Sequence, residues 1–173
     1  MIGTPERTEA PEYFFKYIDR VPAGDICTLL ADQRDDTYQL LRGVSAEQSS
    51  ARYEPGKWSI RELLGHVNDA ERLFVARAWW FARGFDSALP SFDQNVAAAH
   101  AGADERDWSS HVEEFMAIRA DTVCFFRGLP ANAWLRGGTA SGNYVTVRAL
   151  AFITAGHVIH HTGILREKYL NPR

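Results

Sequence analysis

Three of the six histidines of this chain lie within five consecutive positions, in the stretch GHVIHHTGIL at residues 156–165. Apolar residues flank them on both sides, which predicts a buried helical segment. Because His157 and His161 are four positions apart, a helix places both imidazoles on one face, where they can bind one ion. His160 lies roughly 100° around the helix from His161, so we expect it outside the ligand set. No glutamate follows His157, which excludes the zinc-protease motif HExxH.

A third histidine, His66, lies between Leu63 and Ala70 on the apolar stripe of a different predicted helix. Burying three unpaired imidazoles in a helix bundle costs several kcal/mol, whereas one divalent cation satisfies all three nitrogens. The pattern therefore predicts a metal site formed by His66, His157 and His161. The alternative is a set of structural histidines that form hydrogen bonds with their neighbours.

Polar residues near these histidines are candidates for positioning water or substrate. Asp69 follows His66 by one helical turn, and Gln33 interrupts the apolar stripe of the first predicted helix. We expect both to have a catalytic role; the alternative for Gln33 is a tolerated position at the edge of the stripe. Glu71 is expected on a solvated helix face, and His111 is expected to face solvent in the first turn of the third helix.

Four long segments carry the three- and four-residue apolar periodicity of amphipathic helices. Capping and stop signals set their boundaries, such as the capping box that Ser59 forms with Glu62. The four predicted helices span residues 25–42, 59–83, 107–127 and 146–169.

The connections between these helices are long for a helix bundle. They comprise residues 44–58, 85–106 and 128–145. A short helix is expected at 96–100, and the turn-forming residues of 137–145 predict irregular structure. Because almost no strand pattern is present, we predict an all-α four-helix bundle with long connecting loops. Residues 1–173 are expected to form one domain, in which residues 1–24 are an N-terminal extension.

Composition restricts the partners and the compartment of the protein. Hydrophobic residues make up 46% of the 173 residues and the formal net charge is −3, so no basic field exists to attract nucleic acid or a membrane surface. No apolar run reaches the ~20 residues of a membrane span, and the N-terminal residues lack a secretion signal. Cys27 and Cys124 are expected to be reduced core thiols on apolar helix faces. We therefore expect a cytoplasmic protein that acts on a small molecule.

Several motifs together resemble one known family. They are YEPGKWSI at 53–60, GH at 65–66, ER at 71–72, FDQ at 92–94, GTASG at 138–142 and GHVIHHTGILREKYL at 156–170. The chain is similar to the DinB-like superfamily of small four-helix metalloproteins, and within it to the YfiT-type branch of metal-dependent hydrolases. This resemblance implies that one histidine of the second helix and the HxxxH pair of the fourth bind the metal, which are again His66, His157 and His161. It also implies a homodimer.

A metal ion held by three neutral imidazoles keeps its full charge and at least one open coordination position, as catalytic zinc does. We expect Zn or Ni, since imidazole suits both and the lack of a carboxylate ligand argues against an iron oxygenase site. Such an ion lowers the pKa of bound water toward ~7, which predicts a metal-dependent hydrolase. The open position is equally suited to activating a low-molecular-weight thiol, as in a detoxifying S-transferase. A non-catalytic metal-binding scaffold is the third alternative.

Basic residues at the mouth of the site would favour the thiol transferase, because they would bind the carboxylates of the thiol. The arginines available for this role are Arg61, Arg72, Arg119 and Arg148.

Overall fold

The computed structural model describes residues 2–171 and shows a helical bundle, which confirms the predicted fold class. The α-helices are α1 (Glu12–Ile18), α2 (Ile26–Leu41), α3 (Ile60–Ala82), α4 (Gln94–His100), α5 (Trp108–Arg127) and α6 (Val147–Ile164). Two short strands, β1 (Gly137–Ala140) and β2 (Asn143–Thr146), precede α6, and a π-helical segment, Leu165–Leu170, extends it. Short 3₁₀ turns occur at Arg7–Glu9, Gln48–Ser50, Ala103–Glu105 and Ala131–Ala133.

Three of the four long helices, α2, α3 and α6, begin with a side-chain cap at the residue where each was predicted to start. Asp25 accepts a hydrogen bond from the backbone N–H of Thr28 at the start of α2. Ser59 and Glu62 form the reciprocal capping box at the start of α3. These caps satisfy backbone donors that would otherwise be unpaired, and so they fix the first turn of each helix.

Helix α6 is the centre of the bundle, since it packs against α1, α2 and α3, while α5 packs against α2 and α3. Most residues of α6 are buried. A helix that is apolar on nearly every side can be stable only when neighbours cover it. Two apolar clusters form the core: the first contains Phe15 and Phe81, and the second contains Leu41 and Trp108. On α6, His157 lies between Ala155 of the first cluster and Val158 of the second.

The prediction of irregular structure at 137–145 is wrong, because β1 and β2 form an antiparallel hairpin in which Ala140 pairs with Asn143. Its two-residue turn, Ser141-Gly142, has positive φ values of 53° and 76°. Such a turn matches the natural twist of the strands. Gly138 permits the hairpin to lie on α3, since a Cβ there would be 2.3 Å from a ring carbon of Phe81.

The segment expected as an N-terminal extension contains α1, which packs on α6. The close approach depends on Gly156, because a Cβ at this position would be 2.1 Å from the carbonyl oxygen of Tyr17. Glu9 anchors the same segment by accepting hydrogen bonds from Thr146 and Arg148 at the start of α6.

Three expectations of exposure are wrong. Glu71 and His111 are buried rather than solvated, with exposed fractions of 2% and 0%. Cys124 is exposed and Cys27 half-buried, so neither is a core thiol, and both are free.

The short helix α4 begins at Gln94, two residues before its predicted start. None of the helices within residues 2–171 is long and apolar enough to cross a membrane.

Candidate metal centre

The packing of α3 against α6 brings together the three histidines that the sequence singles out. His66 lies in the second turn of α3, after the Ser59 cap has fixed the start of that helix. His157 and His161 lie one turn apart on α6. All three side chains are buried, with exposed fractions of 6%, 4% and 8%.

The three imidazoles turn their Nε2 atoms toward one another. The Nε2 atom of His157 is 3.1 Å from that of His66 and 3.1 Å from that of His161. One ring nitrogen from each residue lies within 4.8 Å of the other two, and no other such group of histidine, cysteine or acidic residues occurs in the described part of the chain.

Burial keeps these imidazoles neutral. It lowers the pKa of His66 to about 4 and that of His161 to about 3. Burial, followed by the charges that neighbouring imidazoles would carry, holds the pKa of His157 well below its ordinary value. Metal binding requires neutral imidazole, so the cluster is in its ligand form at neutral pH.

The donor geometry fits a shared cation better than it fits hydrogen bonds. A ring nitrogen carries either one hydrogen or one lone pair, so the Nε2 atom of His157 can form only one good hydrogen bond with its two neighbours. Three lone pairs that converge on one point can all bind a single ion. Two nitrogens bound to zinc at ~2.0–2.1 Å with tetrahedral angles are ~3.3 Å apart, close to the observed separation. The residues present therefore fit a divalent metal ion.

Aromatic rings surround the cluster and exclude water from most of it. The ring centroid of Trp58 is 4.9 Å from that of His66, and the rings of Tyr17 and Phe74 lie 5.3 and 5.6 Å from that of His157. Burial raises the pKa of Tyr17, so its phenol stays protonated.

His160 lies on the flank of α6, as its helical angle predicts. Its ring packs on Tyr17 with centroids 5.4 Å apart, and it does not belong to the converging group of three. Its side chain is only partly buried.

A cavity of about 260 Å³ opens beside His66 and His157. Helix α1 contributes Tyr13, Phe14 and Tyr17 to its wall, and α3 contributes the apolar side chains between His66 and Arg77. Phe92, Gln94 of α4 and Ser141 of the hairpin turn also line the cavity. The N-terminal segment and the hairpin, both misjudged from sequence, thus complete the site.

The structure does not bring Asp69 or Gln33 to the three histidines. Asp69 lines a separate cavity with His100 and Arg106, and lies 3.5 Å from Arg72. Burial raises the pKa of the Asp69 carboxyl. The amide of Gln33 donates to the backbone oxygen of Ala155 at 2.9 Å and accepts from Arg119. The catalytic role expected of Asp69 and Gln33 stays a prediction.

None of the four arginines considered for the mouth of the site lines this cavity. Arg119 pairs with Glu71, Arg148 with Glu9 and Arg72 with Glu114, while Arg61 donates to backbone oxygens. The arginine that does line it is Arg77, which was not among the predicted site residues.

A signal for Arg77 was present in the sequence. It lies eleven positions after His66, which is about three helical turns, and so the two share a face of α3. Charged residues are rarely buried, so an arginine on the buried face of a helix indicates a functional site rather than a solvated surface.

Comparison with known proteins agrees with this geometry. The fold is similar to that of YfiT from Bacillus subtilis, described as a probable metal-dependent hydrolase with an unusual four-helix bundle topology. The two share 17% identity and a TM-score of 0.72, covering 94% of this chain and 91% of that chain. It is also similar to mycothiol-dependent maleylpyruvate isomerase, at 17% identity and a TM-score of 0.67, over 84% of this chain and 61% of that chain. No curated protein matches in sequence. The profile of the DinB superfamily matches residues 29–165, more than half of the chain, and the protein therefore belongs to that superfamily.

Proposed function

We propose that His66, His157 and His161 bind one divalent metal ion, Zn or Ni, and that the protein is a metal-dependent hydrolase. The observation that carries this proposal is the convergence of three buried, neutral imidazoles, with Nε2 contacts of 3.1 Å, beside a cavity that His66 and His157 line. When bound, such an ion supplies a Lewis acid and a water whose pKa approaches ~7. The fold of YfiT supports the same activity.

The residues of the chain would provide orientation and a dry environment for this chemistry. Gly156 lets α1 pack closely on α6, which places the ring of Tyr17 against that of His157. Tyr17, Trp58 and Phe74 exclude bulk water, which strengthens electrostatic interactions inside the site. The cavity admits a small molecule rather than a polymer.

Thiol transfer is the second candidate. The similarity in fold to an isomerase that depends on mycothiol favours it. An open position next to three histidines would bind a thiolate as readily as hydroxide.

A non-catalytic scaffold is the third candidate, and it requires a closed metal shell with a fourth protein ligand.

The test combines metal analysis with a screen of activated esters, amides and electrophiles, each with and without added thiol. Turnover without thiol, lost in a His157→Ala variant and retained in His160→Ala, supports the hydrolase. Turnover only with thiol assigns the protein to the transferases. Absence of turnover, together with a fourth protein ligand on the metal, supports the scaffold.

A further inference from the structure

Arg77 is a buried cation on the wall of the histidine cavity, and its exposed fraction is 6%. The hydrogen bonds found for it both come from Nη2, which donates to the backbone oxygen of Pro90 and to Oγ of Ser141 at 2.9 Å. Its Nε is buried and has no acceptor. Within residues 2–171, no carboxylate oxygen lies within 4.0 Å of its nitrogens. The protein therefore leaves this charge without a partner.

Arg119, the other deeply buried arginine, differs from Arg77 because it has a carboxylate partner. Arg119 donates to both carboxylate oxygens of Glu71 at 2.7 Å, so its charge is neutralised within the fold. Burial lowers the pKa of Arg77 and no neighbouring charge opposes this effect, but a guanidinium remains protonated in proteins. A buried cation without a counter-charge destabilises the fold, and an anionic ligand would relieve that cost.

The position of Arg77 relates its charge to the three histidines. The eleven residues from His66 to Arg77 rotate the helix to within ~20° of the starting face and advance it by ~16 Å. Both side chains lean toward the N-terminus of the helix, and between them Ala70, Leu73 and Phe74 line the same cavity. The cavity therefore has the histidines at one end, an apolar middle and a single cation at the other end. No acidic residue lines it.

We propose that Arg77 binds the carboxylate of a small monoanionic substrate, whose apolar body lies along α3 and whose reacting group reaches His66 and His157. The inference rests on the proposed function only for the role of the histidines. Because Nη2 already donates both of its hydrogens, a carboxylate would accept from Nη1 of Arg77. One guanidinium charge balances one carboxylate, whereas a phosphate dianion would leave a negative charge uncompensated. The volume of about 260 Å³ restricts the substrate to a small organic acid or a small acylated acid.

The test uses the 173-residue protein with its metal content recorded and three probes of six carbons each: hexanoate, hexanamide and hexyl phosphate. Titration calorimetry should show hexanoate binding at least ~10-fold more tightly than hexanamide. In an Arg77→Gln variant this preference should disappear. The matched control is Arg72→Gln, the same substitution at an exposed position of the same helix, outside the cavity, and it should keep the preference.

Several results would overturn the proposal. Equal binding of hexanoate and hexanamide by the unmodified protein does so without any variant, and hence even if Arg77→Gln fails to fold. Tighter binding of hexyl phosphate overturns the choice of a carboxylate. Hexanoate binding that persists in Arg77→Gln but is lost in His157→Ala assigns the carboxylate to the metal instead.

If no metal is found but the preference for hexanoate depends on Arg77, the proposed function fails and this inference stands.

Discussion

At the scale of single residues, the ion pair of Arg119 with Glu71 is the most deeply buried ion pair among residues 2–171. The side chains are 0% and 2% exposed, and the hydroxyl of Thr122 also donates to the Glu71 carboxylate at 2.7 Å. Gln33 of α2 accepts from Arg119, so the network joins α2, α3 and α5. A buried pair of this kind fixes how helices align, and the loss of one partner leaves an uncompensated charge.

We predict that Glu71→Gln lowers the free energy of unfolding by ~3–5 kcal/mol, because it leaves the Arg119 guanidinium buried without a counter-charge. Urea denaturation followed by far-UV circular dichroism measures the change. The matched control is Asp35→Asn, which removes the exposed partner of Arg34 and should cost less than ~1 kcal/mol. Similar losses in the two variants would contradict the structural role given to Glu71.

The sequence predicts individual residues well where helical spacing alone decides the outcome. His157 and His161 share a face because they are four positions apart, and His66 joins them because the apolar stripe of its helix turns inward. The burial of Glu71 and His111 could not be predicted, since it depends on which neighbouring helix covers that face. The connecting segment that contains Ala103 packs on His111, and the backbone oxygen of Ala103 pairs with its Nε2.

At the scale of elements, the contact of α1 with α6 determines the shape of the site. Tyr17 reaches His157 only because Gly156 leaves room for the backbone of α1. Apolar periodicity does not predict this contact, because α1 has only seven residues and the pattern cannot repeat over so few turns. The hairpin was missed for a related reason, because its four-residue strands contain two glycines and resemble a loop.

We predict that Gly156→Ala lowers the free energy of unfolding by ~2 kcal/mol or more, because the added Cβ would overlap the carbonyl oxygen of Tyr17 and displace α1. Thermal unfolding measures the change. Gly163→Ala is the control on the same helix, with no atom within 4 Å of the added Cβ, and should stabilise the protein by ~0.5–1 kcal/mol. Equal behaviour of the two variants would show that α1 does not pack here.

The anchor of the N-terminal segment should depend on pH. Burial raises the pKa of Glu9, but hydrogen bonds from Arg148, Thr146 and the backbone of Glu6 more than offset this, so the pKa is lowered. A carboxyl with a lowered pKa in the folded state stabilises the protein above its ordinary pKa of 4.5, and this contribution is lost as pH falls through the lowered value.

Glu9→Gln should therefore lower the free energy of unfolding by ~1–3 kcal/mol at pH 7. The difference from the unmodified protein should shrink once the pH falls below 4.5. Denaturation curves at pH 7, 5 and 3.5 measure it. A difference that is constant across this range would mean that the charge of Glu9 does not contribute.

At the scale of the whole molecule, the cavity is built from parts that are far apart in sequence: α1, α3, α4, the hairpin and α6. Apolar periodicity predicted the four long helices, because each buries one stripe or more. It could not predict which of them would be neighbours, so the cavity and Arg77 emerged only from the fold.

Assembly is a further property of the whole molecule. We predict a homodimer, so sedimentation equilibrium at micromolar concentration should give twice the monomer mass of 19.5 kDa. Exposed aromatic side chains such as Trp79 and Phe85 give such an interface apolar area. A mass of 19.5 kDa across the micromolar range would exclude the dimer.

The central claim is that three histidines from two helices hold one metal ion. The most direct test is elemental analysis of the purified protein and of two alanine variants after equilibration with Zn²⁺ or Ni²⁺ and removal of free metal. We predict about one equivalent in the unmodified protein and in His160→Ala, and less than about a tenth of an equivalent in His157→Ala, which loses a ligand. Equal metal loss in His157→Ala and His160→Ala, or an unmodified protein that retains no metal, would contradict the account.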